Sequence, residues 1–259
     1  MKLENDLRQR LQAKPILLMT HLVLGYPSFE INRQVIAAMV DNGVDCIELQ
    51  IPFSEPMADG PTILKANQDA LEAGARVAEC MEFAAEMAVT HDCHFLFMTY
   101  YNIVFRYGEE RFLARAASMG IKGTIIPDLP PEEGERYLQL CRKYELAPIL
   151  FFTPTSTDQR LARIAELASG FIYCVARRGV TGRKTEMNED LAGYLSRCRQ
   201  AASVPLAVGF GIRDREDIRM LEGQADMAVI GTRTIELVDD QGPEAVGPFI
   251  AGLSGETNR

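Results

Sequence analysis

The chain alternates short, continuous apolar runs with longer stretches in which apolar residues recur every three or four positions. Eight such runs stand out, at 16–24, 46–51, 95–100, 123–127, 147–152, 171–176, 205–210 and 227–231. They are rich in Ile, Val, Leu and Phe and lack strict polar alternation, which predicts strands buried on both faces, as in a parallel sheet. Helical spacing fills the intervals at 29–42, 63–71, 77–89, 109–118, 132–144, 157–168, 189–202 and 214–221. Ser28 is a candidate N-cap for the first of these and Gly43 a candidate stop, because a side-chain oxygen satisfies the first amides and glycine tolerates the left-handed turn that ends a helix.

Parallel neighbours need crossover connections, and these are right-handed. Eight strand–helix units can close on themselves and so remove both sheet edges. The expected fold is a single α/β domain over residues 1–259. It is a (β/α)8 TIM barrel with an N-terminal helix at 1–13, extra short helices in the loops after the strands, and a polar, frayed tail at 253–259. A doubly wound open sheet is the alternative that pattern alone leaves open. The 259 residues suit one barrel, which takes about 250.

Charge narrows the partners. A net charge of -9 argues against nucleic acid, whose phosphates attract basic surfaces. No run of 18 apolar residues exists and the N-terminus carries acids, so neither a membrane span nor a signal peptide is expected. The six cysteines form no CxxC pair, which suits reduced core thiols in the cytoplasm. His91, Cys93 and His94 lack a second ligand pair, so no metal is expected there.

In a barrel of this kind, chemistry collects where the strands end. Glu48 lies inside the second apolar run, and burying a carboxylate without a partner is costly. Either it fixes a loop through hydrogen bonds, or it is a general acid–base group in apolar surroundings. Asp59 follows in a loop made rigid by Pro52, Pro56 and Pro61. It is either a helix cap or the partner of Glu48 across a pocket. The last two strands end in Gly209-Phe210-Gly211-Ile212 and Gly231-Thr232-Arg233-Thr234. Glycines let backbone amides approach an anion, and a helix N-terminus points amides at it, so Gly211, Gly231 and Thr232 are candidates for a phosphate site.

The stretch Ile47-Glu48-Leu49-Gln50-Ile51-Pro52-Phe53-Ser54-Glu55-Pro56-Met57-Ala58-Asp59-Gly60-Pro61-Thr62 resembles the signature of tryptophan synthase α subunits. The resemblance continues in order along nearly the whole chain. It runs through Leu24-Gly25-Tyr26-Pro27, Met98-Thr99-Tyr100-Tyr101-Asn102-Ile103-Val104-Phe105, Pro127-Asp128-Leu129-Pro130, Ala147-Pro148-Ile149 and Arg177-Arg178-Gly179-Val180-Thr181-Gly182 to the two glycine segments. It implies retro-aldol cleavage of indole-3-glycerol phosphate to indole and glyceraldehyde 3-phosphate, in L-tryptophan biosynthesis. Glu48 matches the family's proton donor, and Asp59 the residue that binds the indole N–H. Tyr100, Tyr173, His21 and Thr181 match positions near the substrate. Gly182, Gly211, Gly231 and Thr232 match the phosphate site, and 177–184 a loop that closes over it. The family resemblance also implies an α2β2 complex with a pyridoxal-phosphate β subunit, docking on 52–57, 102–105 and 127–130, and no cofactor in this chain. Five positions depart from the family pattern: Tyr26 stands in place of an aspartate, Gln50 in place of a glycine, His21 at a position often aromatic or apolar, Thr232 in place of the more common serine, and Glu55 in place of an aspartate one methylene shorter. Two other readings compete. One is a diverged α-like module that only regulates a β subunit. The other is a different phosphate-binding barrel, though a Schiff-base aldolase needs a buried strand lysine and none of the eight runs holds one.

Overall fold

A computed structural model describes residues 2–176, 189–209 and 211–254. Its eight parallel strands close into a barrel in chain order. They are β1 Leu17–Val23, β2 Cys46–Gln50, β3 His94–Met98, β4 Gly123–Ile125, β5 Ala147–Phe152, β6 Ile172–Val175, β7 Leu206–Gly209 and β8 Met227–Ile230. Every residue of β1, β2 and β3 is buried, as continuous apolar runs require. β8 pairs with β1 as well as β7, so no open edge is left and the open-sheet alternative falls.

Twelve α-helices lie among the described residues. They are α1 Lys2–Arg10, α2 Phe29–Asp41, α3 Pro61–Glu72, α4 Val77–Thr90, α5 Tyr101–Tyr107, α6 Glu109–Ser118, α7 Glu135–Lys143, α8 Asp158–Leu167, α9 Glu189–Ala201, α10 Arg215–Leu221, α11 Thr232–Gln241 and α12 Val246–Ser254. Ser28 caps α2 as expected, accepting from the Ile31 amide at 3.2 Å. α7 starts three residues later than the pattern predicts, because the chain after Pro130-Pro131 first makes a turn, Glu133 N–H to Pro130 C=O at 3.0 Å. α1 stops at Arg10 and gives way to a turn rather than reaching residue 13. The expected frayed tail is also corrected at its start. Leu253 and Ser254 complete α12, and Leu253 is buried in the core. α5 and α11 are short helices in the loops after β3 and β8, a kind that the sequence reading expects without giving bounds; α12 has no counterpart in it. Among the described residues no helix is long and apolar enough to cross a membrane.

Two layers of core hold the barrel. The larger lies between the strands and the helices, where Ile36, Ile47, Phe97, Phe112 and Ile230 pack. The smaller fills the interior, with Leu17, Met19, Cys46, Leu96, Met98, Ile149, Ala207 and Met227. α1 closes the N-terminal end by adding Leu3 and Leu7 to that interior. Asp45, just before β2, anchors the same end. Its buried carboxylate accepts from the Leu18 amide at 3.0 Å and from Lys14 Nζ at 2.9 Å. Gly123 is demanded by close approach, since a Cβ there would sit 2.5 Å from the Ala147 carbonyl oxygen. Side chains alternate along a strand, so the parity that puts Met19 and Cys46 inside also puts His21, Glu48 and Gln50 inside, nearer the C-terminal end.

Candidate active site

His21 on β1 and Glu48 on β2 are register partners, so their side chains enter the barrel side by side. His21 Nδ1 lies 3.0 Å from Glu48 Oε2, and both side chains are about 5% exposed or less (5% and 4%). The remaining polar atoms of the pair, His21 Nε2 and Glu48 Oε1, are buried without a partner among the described residues. Burial alone would lower the His21 pKa, but the hydrogen bond and charge of Glu48, with the charge of Asp59 and the side-chain amide of Gln50, outweigh it and raise the pKa.

Gln50 projects from the same face of β2, two residues on. Its Nε2 donates to Asp59 Oδ2 at 2.8 Å. The Tyr100 hydroxyl, at the end of β3, donates to the same oxygen at 3.0 Å and accepts from the Ala58 amide at 3.0 Å. The loop acid is therefore tied to two strands. α3 begins at Pro61 with Gly60 as its cap residue and no side-chain cap bond, so Asp59 is not its cap. Burial raises the Asp59 pKa, against the charge of His21 and the bonds from Gln50 and Tyr100, which pull it down. Tyr100 stacks on Phe53, ring centroids 5.1 Å apart. Burial, then the Asp59 charge, raises its phenol pKa. Tyr173, on β6, lies within electrostatic reach of both Glu48 and Asp59. Burial, then their two charges, raises its pKa. Gly209 on β7 makes room for it, since a Cβ there would lie 3.0 Å from the Tyr173 hydroxyl.

The opposite rim is built by the ends of β7 and β8. Gly211 adopts φ +76°, a left-handed conformation natural to glycine, and is exposed. Gly231 is the cap residue of α11, and no side chain caps that helix. A Cβ on Gly231 would meet nothing nearer than the His21 Cβ at 3.9 Å, so its glycine keeps space open rather than relieving a clash. Thr232 is the first residue of α11, where amides point out of the helix. Thr234 fixes this end to the barrel, its hydroxyl bonded to the His21 carbonyl at 3.0 Å and the Gly231 carbonyl at 2.7 Å. Thr181 and Gly182, with the loop 177–184, lie outside the described residues.

The site thus gathers His21, Glu48, Asp59, Tyr100 and Tyr173 at one mouth, with Gly231 beside His21. Sequence reasoning missed the roles of Gln50, Thr234 and Gly209. Only Gln50 carried a signal, as a polar residue on the inward parity of a buried strand. Tyr26 stays out of this cluster. Its hydroxyl donates to Asp239 of α11 at 2.8 Å, joining the loop after β1 to that helix. Among the described residues no group of three or more His, Cys, Asp or Glu side chains could hold a metal ion.

Comparison with known proteins identifies the family. The family model described as tryptophan synthase alpha chain matches residues 7–247. The chain is 62% identical to the tryptophan synthase alpha chain of Desulfotalea psychrophila over 253 residues, covering 98% of this chain and 100% of the relative. In structure it is similar to Mycobacterium tuberculosis tryptophan synthase, with a TM-score of 0.90 at 29% identity over 96% of each chain. It is also similar to a chain of the tryptophan synthase α2β2 complex of Pyrococcus furiosus, with a TM-score of 0.85 at 28% identity over 93% of this chain and 98% of that one. A match of this identity and length, on a barrel that places an acid inside β2 and another in the loop after it, means that the chain belongs to the tryptophan synthase alpha chain family.

Proposed function

We propose that the chain carries out the α reaction of tryptophan synthase with Glu48 and Asp59 as its catalytic pair. As a carbon–carbon lyase it splits indole-3-glycerol phosphate into indole and glyceraldehyde 3-phosphate. The bond from indole C3 to the side chain cannot break while the ring is aromatic, because no stable carbanion can leave. Protonation at C3 makes the ring an electron acceptor. Removal of a proton from the adjacent hydroxyl then releases the aldehyde, and the bonding electrons restore the indole. A positioned donor contributes about 10²–10⁴ in rate. Glu48 serves this step, and Asp59 accepts the indole N–H and stabilises the positive charge that develops there.

One observation carries the reading. A buried carboxyl oxygen, Glu48 Oε1, has no partner among the described residues, inside a mouth that also holds Asp59, Tyr100 and Tyr173. His21, Tyr100 and Tyr173 bind the indole end, and Thr181 is assigned to substrate binding by the family resemblance alone. Gly182, Gly211, Gly231 and Thr232 hold the phosphate, with the uncapped N-terminus of α11 supporting that role. The partner is a β subunit in an α2β2 assembly, in keeping with the Pyrococcus furiosus complex. Met57 and Phe105, 76% and 64% exposed on two of the expected docking loops, suit that contact. Pyridoxal phosphate belongs to the β subunit, and this chain uses no cofactor of its own. The site of action is the cytoplasm. A purely regulatory role gains little from the departures from the family pattern, since Gln50 supports Asp59 and Tyr26 braces α11.

The test is indole release from indole-3-glycerol phosphate, with and without the cognate β subunit. Slow turnover alone and faster turnover with β are expected, and Glu48→Gln lowers kcat at least a hundredfold in a folded protein. No indole in either condition favours a regulator, and normal turnover by Glu48→Gln removes the assignment of Glu48.

A further inference from the structure

We propose that His21 and Glu48 work as a dyad sharing one exchangeable proton, with His21 as a positioning residue that acts through Glu48. The inference rests on the α reaction proposed above.

The geometry favours a pair over a lone acid. The two residues face each other in register across β1 and β2, and the Nδ1–Oε2 bond of 3.0 Å fixes the plane of the carboxyl group. The two atoms this bond leaves over, His21 Nε2 and Glu48 Oε1, are the ones buried without partners among the described residues. A buried polar atom with no partner costs free energy, and it is retained where a ligand completes it. The pair therefore has two forms with the same proton count. In one the proton is on His21 Nε2 and Glu48 is a carboxylate. In the other it is on Glu48 Oε1 and His21 is neutral. The Nδ1–H···Oε2 bond is common to both.

This arrangement answers a difficulty in the reaction. The first step needs an acid at the ring carbon, and the second needs a base at the hydroxyl. Glu48 Oε1–H gives its proton to C3 and becomes a carboxylate facing neutral His21. The same oxygen then takes the hydroxyl proton as the carbon–carbon bond breaks, its electron pair returning to the ring and the aldehyde C=O forming. The dyad ends with the proton it started with, and no oxidant or reductant is needed. The groups facing His21 among the described residues are Glu48 and the uncharged Gln50 amide from β2 and Asp59 from the following loop, with Tyr173 of β6 facing Glu48. α11 presents the uncharged Thr234 hydroxyl to the His21 carbonyl. The nearby charges are thus negative and hold a proton on the pair. Raising the pH removes it, leaving a carboxylate and a neutral imidazole that cannot protonate the ring.

Two measurements test the dyad. The first is the pH profile of kcat/KM for indole release, with the β subunit present, for the wild type, His21→Asn and His21→Phe. Asparagine can still donate to Oε2 but does not titrate. The expected result is a kcat loss of tenfold or more with KM nearly unchanged, and an alkaline limb moved toward acid by at least one pH unit in both variants. The second needs no substrate: the NMR titration of His21, one of three histidines in the chain. It is expected to fall by a pH unit or more in Glu48→Gln. An alkaline limb that does not move in folded His21→Asn, or a His21 titration indifferent to Glu48→Gln, overturns the dyad while wild-type turnover leaves the α reaction standing. A wild type that releases no indole with β overturns the α reaction and the dyad with it.

Discussion

Gln50 Nε2 donates to Asp59 Oδ2 across 2.8 Å, so a strand residue holds the loop acid through one of its oxygens. The Tyr100 hydroxyl completes the grip on that oxygen. Both bonds favour the carboxylate form, which is the form that accepts an indole N–H.

Removing the strand donor should loosen Asp59 without unfolding the barrel. Gln50→Ala leaves Tyr100 as the remaining described donor to Oδ2. A hydrogen bond to a charged group is worth about 1.5–3 kcal/mol, so kcat/KM for indole release should fall roughly tenfold to a hundredfold. Steady-state kinetics beside a thermal melt checks this, and an unchanged kcat/KM would show that Gln50 only fills space.

Gly231 separates a ligand role from a folding role. Its Cβ position is open, 3.9 Å from the His21 Cβ and 4.0 Å from Ile63 Cδ1, and its φ is negative. Gly231→Ala should therefore fold with nearly the wild-type Tm. A methyl group in a phosphate cradle should still raise KM about tenfold, equivalent to about 1.4 kcal/mol, and weaken inhibition by inorganic phosphate in parallel. A lowered Tm with unchanged KM would mark the glycine as structural.

Acid stability should depend on His94, at the N-terminal end of β3. Burial, helped by the Arg10 charge, lowers its pKa from 6.5 to about 4, and its Nε2 is buried without a partner among the described residues. The unfolded chain then binds a proton that the fold excludes between those two values. Stability is full above pH 6.5 and is lost as pH falls toward about 4, by about 3 kcal/mol at 1.36 kcal/mol per pH unit. Urea unfolding at pH 7 and pH 4.5 should show His94→Leu losing less stability than the wild type over that interval. Equal losses would assign the acid sensitivity elsewhere.

The strands were the most legible part of the chain, because a run buried on both faces must be apolar throughout, and all eight runs became barrel strands. The start of α11 was legible from the glycine segment after β8, but its length was not, because Thr232-Arg233-Thr234 puts two β-branched residues in the first turn. α12 was hidden because Gly247, Pro248 and Gly252 are helix breakers by propensity, and burial of Val246, Ile250 and Leu253 overrides them. Glu48 and Asp59 stood out by cost and position, as carboxylates where a strand and a rigid loop meet the barrel mouth, but those alone left a loop anchor and a helix cap open, and the family resemblance made the choice. The pairing of His21 with Glu48 was not legible. It follows from the offset between β1 and β2, which no local pattern in either strand encodes.

Because Gln50 and Glu48 stand two residues apart on one strand, the spacing between the two acids is inherited from the pleat of β2 more than from the shape of the proline loop. Natural variation in that loop can then retune how substrate enters or how a neighbouring subunit is felt, while the paired carboxyls travel together as a single calibrated instrument.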